Sequence, residues 1–101
     1  MIDLSAAHLT LVRQILSRRV PNAKAIAFGS RVTGHSVDYS DLDLALEADE
    51  KLDLSLLEYL KVDFEESSLP FRVDILDFNA ISAEFKKIIK SNCETIAPLN
   101  S

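Results

Sequence analysis

The sequence predicts a single α/β (α+β) domain in which helices pack on a small mixed β-sheet. The chain has 101 residues, which suits one domain and is too short for two, so we expect residues 1–101 to form one unit. Apolar residues make up 48% of the chain, which is ample for a core. The apolar spacing also switches between helical and strand periods, in the order helix, strand, turn, strand, helix, strand, helix.

The first half of the chain contains a helical pattern and two short apolar strands separated by turn residues. Apolar side chains recur every three or four residues near the N-terminus, which is typical of an amphipathic helix. Pro21-Asn22 breaks this pattern, and Gly29-Ser30 ends the apolar run that follows it. We therefore predict a helix over 5–19, a strand over 23–28, one helical turn over 31–34 and a strand over 41–46.

The second half is predicted to contain a helix, a strand and a final helix. Ser55 and Glu58 have the spacing of a capping box, so the middle helix is predicted to begin there and to end near Ser67. A third strand is predicted over 71–77. The last helix, roughly 81–92, is predicted to bury the apolar side chains of its inner face, namely Phe85, Ile88, Ile89 and, at its end, Cys93.

The composition excludes several classes of function. The net charge is −5, and eleven acidic residues lie between Asp38 and Glu66, so we expect no binding of long nucleic acids through their phosphates. A small anion that arrives together with metal ions remains compatible with this charge. No apolar run approaches the ~20 residues that a membrane span needs, and the N-terminus does not resemble a signal peptide. The single Cys93 excludes an internal disulfide, and a reducing cytoplasm is the expected location.

Asp41 and Asp43 are candidate metal ligands at the start of the second strand. Residues two apart share a face of a strand, and the leucines that alternate with the aspartates, Leu42, Leu44 and Leu46, anchor the other face in the core. Two carboxylates held in this way repel each other, and a hard cation such as Mg²⁺ relieves the repulsion. Two such ions about 3.5–4 Å apart form the usual clamp for phosphoryl or nucleotidyl transfer. The alternative is a solvated or helix-capping pair, the commoner situation for an isolated Asp-x-Asp.

Gly29 and Ser30 are candidate phosphate ligands. A glycine at the exit of a strand allows the backbone to approach a phosphate, and the Ser30 hydroxyl and nearby N–H groups can bind its oxygens. A helical turn that begins here adds favourable partial charge, and Arg31 could reach the same phosphates. The alternative is an ordinary turn, which is what an isolated Gly-Ser pair after a strand usually forms.

Asp74 is the third candidate carboxylate, because it interrupts an apolar strand in which an unpaired charge would be costly. Alternation places it on the same face as Arg72, so an ion pair between the two on an exposed face is one interpretation. If the third strand lies beside the second, Asp74 instead completes a site of three carboxylates. It would then also be placed to take a proton from an attacking hydroxyl.

The spacing of these motifs resembles the signature of the DNA polymerase β-like nucleotidyltransferase superfamily. Gly29-Ser30 is followed after ten residues by Asp41-Leu42-Asp43 and then by a lone strand aspartate, Asp74. More closely, the chain is similar to the minimal nucleotidyltransferases of bacteria and archaea. The similarity extends from AFGSRVTG through SDLDLAL and LPFRVDILDF to the last helix.

The resemblance implies transfer of AMP from ATP, with pyrophosphate as the leaving group. Asp41 and Asp43 would hold two Mg²⁺ ions, Asp74 would bind one of them and activate the acceptor, and Gly29 and Ser30 would bind the triphosphate. The resemblance also implies that the chain acts as the antitoxin of a HEPN-domain toxin encoded by an adjacent gene. It would form a hetero-oligomer with this toxin and add AMP to one of the toxin's tyrosines. Two alternatives remain: a non-catalytic antitoxin that occludes its partner, and an enzyme that modifies a small molecule.

Overall fold

The structure, a computed structural model, describes residues 2–37 and 40–98 and contains a four-stranded mixed sheet. The strand order is β3-β2-β1-β4, with β1 antiparallel to both of its neighbours and β2 parallel to β3. The predicted α/β class with a small mixed sheet is therefore confirmed. In chain order the elements are α1 (Ala6–Arg19), β1 (Lys24–Phe28), α2 (Ser30–Thr33), β2 (Leu42–Glu47), α3 (Leu54–Glu65), β3 (Val73–Asp77), a 3₁₀ turn (Phe78–Ala80), α4 (Ala83–Ser91) and β4 (Glu94–Ala97).

Apolar side chains cover both faces of the sheet. Leu42, Leu44 and Leu46 of β2 are fully buried on the face that packs against α1 and α3. Ala45, on the alternate face, packs with Ile89 of α4. The alternation predicted for β2 is thus confirmed, because one set of its side chains joins each layer. None of the helices in the described ranges is long and apolar enough to cross a membrane.

Three details of the predicted elements were wrong. The helix α3 begins at Leu54, after Asp53. The Leu57 N–H donates to the Asp53 carbonyl at 3.2 Å, so the helical hydrogen bonding starts at Asp53. Ser55 therefore lies inside the helix and does not cap it. Ile88 of α4 is 66% exposed, because the narrow buried stripe of this helix passes through Ile89 instead. The strand β4 was not predicted at all.

Candidate active site

The sheet places Asp43 and Asp74 next to each other. The parallel pairing of β2 and β3 sets Asp43 opposite Asp74, and both side chains lie on the face away from the leucines of β2. The amide of Leu42 donates to the Arg72 carbonyl at 2.9 Å, which fixes the start of one strand against the other. Asp41 is exposed and comes immediately before β2. The structure therefore brings Asp43 and Asp74 together, as the sequence predicted for adjacent strands. Asp41 lies two residues before Asp43 in the chain.

Gly29 closes the site on the other side of Asp43. It follows Phe28, which is the antiparallel partner of Asp43, and its backbone has φ 81° and ψ −158°, a region open in practice to glycine alone. A Cβ at this position would collide with Oδ2 of Asp43. The Gly29 carbonyl accepts from the amides of Val32 and Thr33, both at 3.0 Å, and so starts the single turn of α2 at Ser30. The Gly-Ser turn thus lies directly against a carboxylate.

The electrostatics of the site centre on Asp43. Its partial burial raises the pKa of the carboxyl group, and the negative charges of Asp74 and Asp41 raise that pKa further. Asp74 has an ion pair with Arg72, from Nε of Arg72 to Oδ1 of Asp74 at 3.0 Å, which confirms the ion-pair interpretation, while its role in a site of three carboxylates stays a prediction. Among the described residues no ion pair neutralises Asp43. A cation bound beside Asp43 would therefore gain from a negative potential that the protein leaves uncompensated.

Arg31 lies in a different environment from the one predicted. Its guanidinium is buried, donating from Nε to the Ser40 carbonyl and from Nη1 to the Asp3 carbonyl, each at 2.8 Å. The same group stacks over the Phe71 ring at 4.2 Å from the centroid. These contacts join the N-terminal segment, the loop before Asp41 and the approach to β3. They give Arg31 a role in holding the site together and provide no support for the predicted contact with phosphate.

The carboxylates fit a metal ion in chemistry but do not form a complete metal site alone. Over residues 2–37 and 40–98, no three Asp, Glu, His or Cys side chains are close enough together to hold an ion. Mg²⁺ is usually bound through one or two carboxylates, several waters and the phosphates of a substrate. The pair Asp43 and Asp74, with the raised pKa of Asp43, matches that kind of partial donor set.

Asp77 is a structural residue that the sequence analysis did not single out. It is buried, and its carboxylate accepts from the amides of Leu52 at 2.8 Å and Asn79 at 2.9 Å. Asn79 in turn donates from Nδ2 to the Ala48 carbonyl at 2.7 Å. The acidic side chain therefore fixes the end of β3 to the loop after β2. An aspartate followed two residues later by asparagine is the local signal for such a turn.

A mixed sheet that sets two strand carboxylates against a glycine turn defines an enzyme of the phosphoryl- or nucleotidyl-transfer class. A family model described as a nucleotidyltransferase domain matches residues 9–96. The chain belongs to this nucleotidyltransferase family, which confirms the resemblance inferred from its motifs.

Comparison with individual proteins identifies several relatives. The probable protein adenylyltransferase MntA of Haemophilus influenzae is 45% identical over 89 residues, which cover 88% of this chain and 78% of that protein. A chain in a crystal structure of a toxin–antitoxin with AMP-PNP has a TM-score of 0.74 at 23% identity, over 88% of this chain and 72% of that one. A chain in the complex of a tri-AMPylated Shewanella oneidensis HEPN toxin with MNT antitoxin has a TM-score of 0.64 at 22% identity, over 91% and 74% of the two chains. Both structures share the fold described above.

Proposed function

We propose that this protein is a Mg²⁺-dependent adenylyltransferase that transfers AMP from ATP to a tyrosine hydroxyl of a HEPN-family partner protein, and thereby acts as the antitoxin of that partner. The observation that carries the proposal is the pairing of Asp43 with Asp74 beside the Gly29 turn. The 45% identity to a probable protein adenylyltransferase supports AMP transfer to a protein. The toxin–antitoxin complexes among its structural relatives support a HEPN partner and a hetero-oligomer.

We assign each residue of the site a role in this reaction. Gly29 lets the backbone approach the triphosphate closely, and the Ser30 hydroxyl donates a hydrogen bond to it. Asp41 and Asp43, together with Asp74, would hold Mg²⁺, which would neutralise the phosphate charge. Asp74 accepts the proton of the acceptor hydroxyl. The acceptor oxygen forms a bond to the α-phosphorus, the bond from that phosphorus to the bridging oxygen breaks, and pyrophosphate leaves with the bonding electrons.

The test is intact-mass spectrometry of both chains after incubation. The incubation mixture contains this protein, the protein encoded by the adjacent gene, Mg²⁺ and one nucleoside triphosphate at a time. We expect a gain of AMP units on the partner with ATP, and no gain with Asp41→Asn. Asp49→Asn is the matched control, because Asp49 is an exposed acid outside the site. A stable complex in which no triphosphate modifies either chain would refute the transfer.

Neutralisation of the toxin separates catalysis from occlusion. The double variant Asp41→Asn/Asp43→Asn keeps the shape of the protein and removes two of the proposed metal ligands. We expect it to bind the partner and to fail to protect cells from it. If it protects as well as the unmodified protein, occlusion by a non-catalytic antitoxin is the correct description.

A further inference from the structure

The strand β3 forms one edge of the sheet and has a row of backbone groups directed outwards. Within the described residues it pairs with β2 alone. Because the Arg72 carbonyl accepts from Leu42 of β2, strand alternation directs the N–H and C=O of Asp74 towards β2 as well. The same alternation directs the N–H and C=O of Val73 and Ile75 towards the open edge. This edge therefore offers regularly spaced donors and acceptors for another strand.

The opposite edge of the sheet is less suited to such pairing. The edge strand β4 has four residues, and its pairing with β1 shifts register between Ala25 and Ile26. An irregularity of this kind twists an edge and interrupts its hydrogen bonding. The pairing of β3 with β2 has no register shift over its five residues. Of the two edges, β3 is thus the one that presents a regular template.

A cleft of about 580 Å³ lies along the β3 edge, between this strand and the end of α3. Asp74 is among the residues that line it, so the cleft reaches the strand that carries this carboxylate, and Leu69 and Phe71 supply apolar surface. Two cations border it, and both are already paired: Lys61 with Glu58 at 3.4 Å, and Arg72 with Asp74 at 3.0 Å. The cleft is therefore poorly suited to a free anion and better suited to a polypeptide.

The geometry of the reaction also favours an acceptor on this side. In-line displacement needs the attacking oxygen on the side of the phosphorus opposite to the leaving group. The Gly29 turn, proposed for the triphosphate, lies on the β1 side of Asp43, whereas Asp74, the proposed proton acceptor, lies on the β3 side. An acceptor that approaches past the β3 edge therefore reaches Asp74 without crossing the nucleotide.

We propose that the free edge of β3 binds the acceptor protein as an added β-strand, an inference that rests on the proposed function. The partner contributes an extended segment whose backbone pairs with Val73 and Ile75. The residue opposite Asp74 then shares a face with Asp74 and Asp43, where a tyrosine hydroxyl meets the carboxylates. Its two neighbours point to the other face, into the cleft beside Leu69. The acceptor segment is accordingly an extended stretch that carries a tyrosine.

Amide hydrogen exchange at single residues tests this docking directly. In the isolated protein we expect the amides of Val73 and Ile75 to exchange fast and those of Asp74 and Leu76 slowly, because only the latter are bonded to β2. Addition of the HEPN-family protein encoded by the adjacent gene should slow hydrogen exchange at the amides of Val73 and Ile75 by about tenfold or more. If both amides stay fast in a complex in which AMP transfer occurs, the docking is wrong while the function stands. Slowed amides without any transfer leave the docking intact and overturn the function.

A pair of variants at Ile75 separates the amide from the side chain. Ile75→Pro removes the outward N–H, and proline is tolerated at this kind of edge position, whereas Ile75→Ala removes similar apolar contacts and keeps the N–H. Circular dichroism first checks that both variants are folded. We then expect Ile75→Pro to raise KM for the acceptor by about tenfold more than Ile75→Ala does. KM for ATP should be the same in the two variants. Equal KM values for the acceptor would overturn the strand addition.

Discussion

Replacement of Gly29 by alanine should damage the site more than it damages the fold. At φ 81° and ψ −158° any other residue is strained by about 1–3 kcal/mol. The new Cβ would also collide with Oδ2 of Asp43, so that carboxylate has to rotate or move. At about 4–8 °C per kcal/mol for a domain of this size, the strain lowers Tm by roughly 5–20 °C. A displacement of a catalytic group by about 1 Å costs on the order of 100-fold in rate.

Gly34 provides the matched control for this experiment. It also has a positive φ, 85°, but at ψ 12° it lies in the ordinary left-handed region, and nothing lies within 4 Å of an added Cβ. Gly34→Ala should therefore cost about 1–2 kcal/mol and leave the rate of AMP transfer within about threefold. Thermal denaturation gives Tm for both variants, and kcat is then measured at a temperature well below both Tm values. Similar rate losses in the two variants, or an active Gly29→Ala, would show that contact between the turn and Asp43 does not set the geometry of the site.

Three further predictions follow from contacts in and around the site. Burial and two neighbouring carboxylates raise the pKa of Asp43 in the folded state, so the folded protein loses stability as the pH rises through that pKa. Asp43→Asn should therefore raise Tm of the metal-free protein at neutral pH, but not in acid below the ordinary carboxyl pKa. Thermal denaturation measured across this pH range checks the prediction. Asp77→Ala leaves the amides of Leu52 and Asn79 without their buried acceptor and should cost about 2–4 kcal/mol in urea denaturation, whereas Asp77→Asn should cost less. In Arg31→Lys the lysine cannot donate to both carbonyls in the same geometry, so this variant should lose about 2 kcal/mol of stability. We expect a lower kcat and an unchanged KM for ATP. A raised KM for ATP alone would indicate that Arg31 binds the phosphates.

The sequence predicted those elements whose pattern is local. Alternation in β2 was readable because its leucines and Asp43 occupy opposite faces, and each face of the strand joins a different layer. The strand β4 was missed because Glu94, Thr95 and Ala97 pair with β1, a segment far earlier in the chain that no local pattern records. The start of α3 was misplaced for the opposite reason: Ser55 and Glu58 satisfy a local rule that the backbone bond to Asp53 overrides.

The adjacency of Asp43 and Asp74 could be predicted conditionally, since a helix between two strands usually makes them parallel neighbours. No such rule applies to Arg31, whose long side chain can reach many partners. Its direction depends on Asp3, Ser40 and Phe71, which belong to three separate segments. Proximity in sequence to Gly29-Ser30 therefore did not reveal these contacts, and nucleotide binding by Arg31 stays a prediction.

The environment of Arg31 explains how the site keeps its negative charge. A cation directly beside Asp43 would neutralise the carboxylate and lower its pKa, yet the structure raises that pKa. Arg31 is instead directed at two backbone carbonyls, where it fixes the segment that ends at Asp41 and, through Phe71, the segment that leads to Asp74. The same arginine thus holds the carboxylate-bearing segments in place without neutralising Asp43. Because the repulsion remains in the metal-free protein, a cation bound beside Asp43 would recover the free energy that the repulsion costs, and metal binding would then raise the stability.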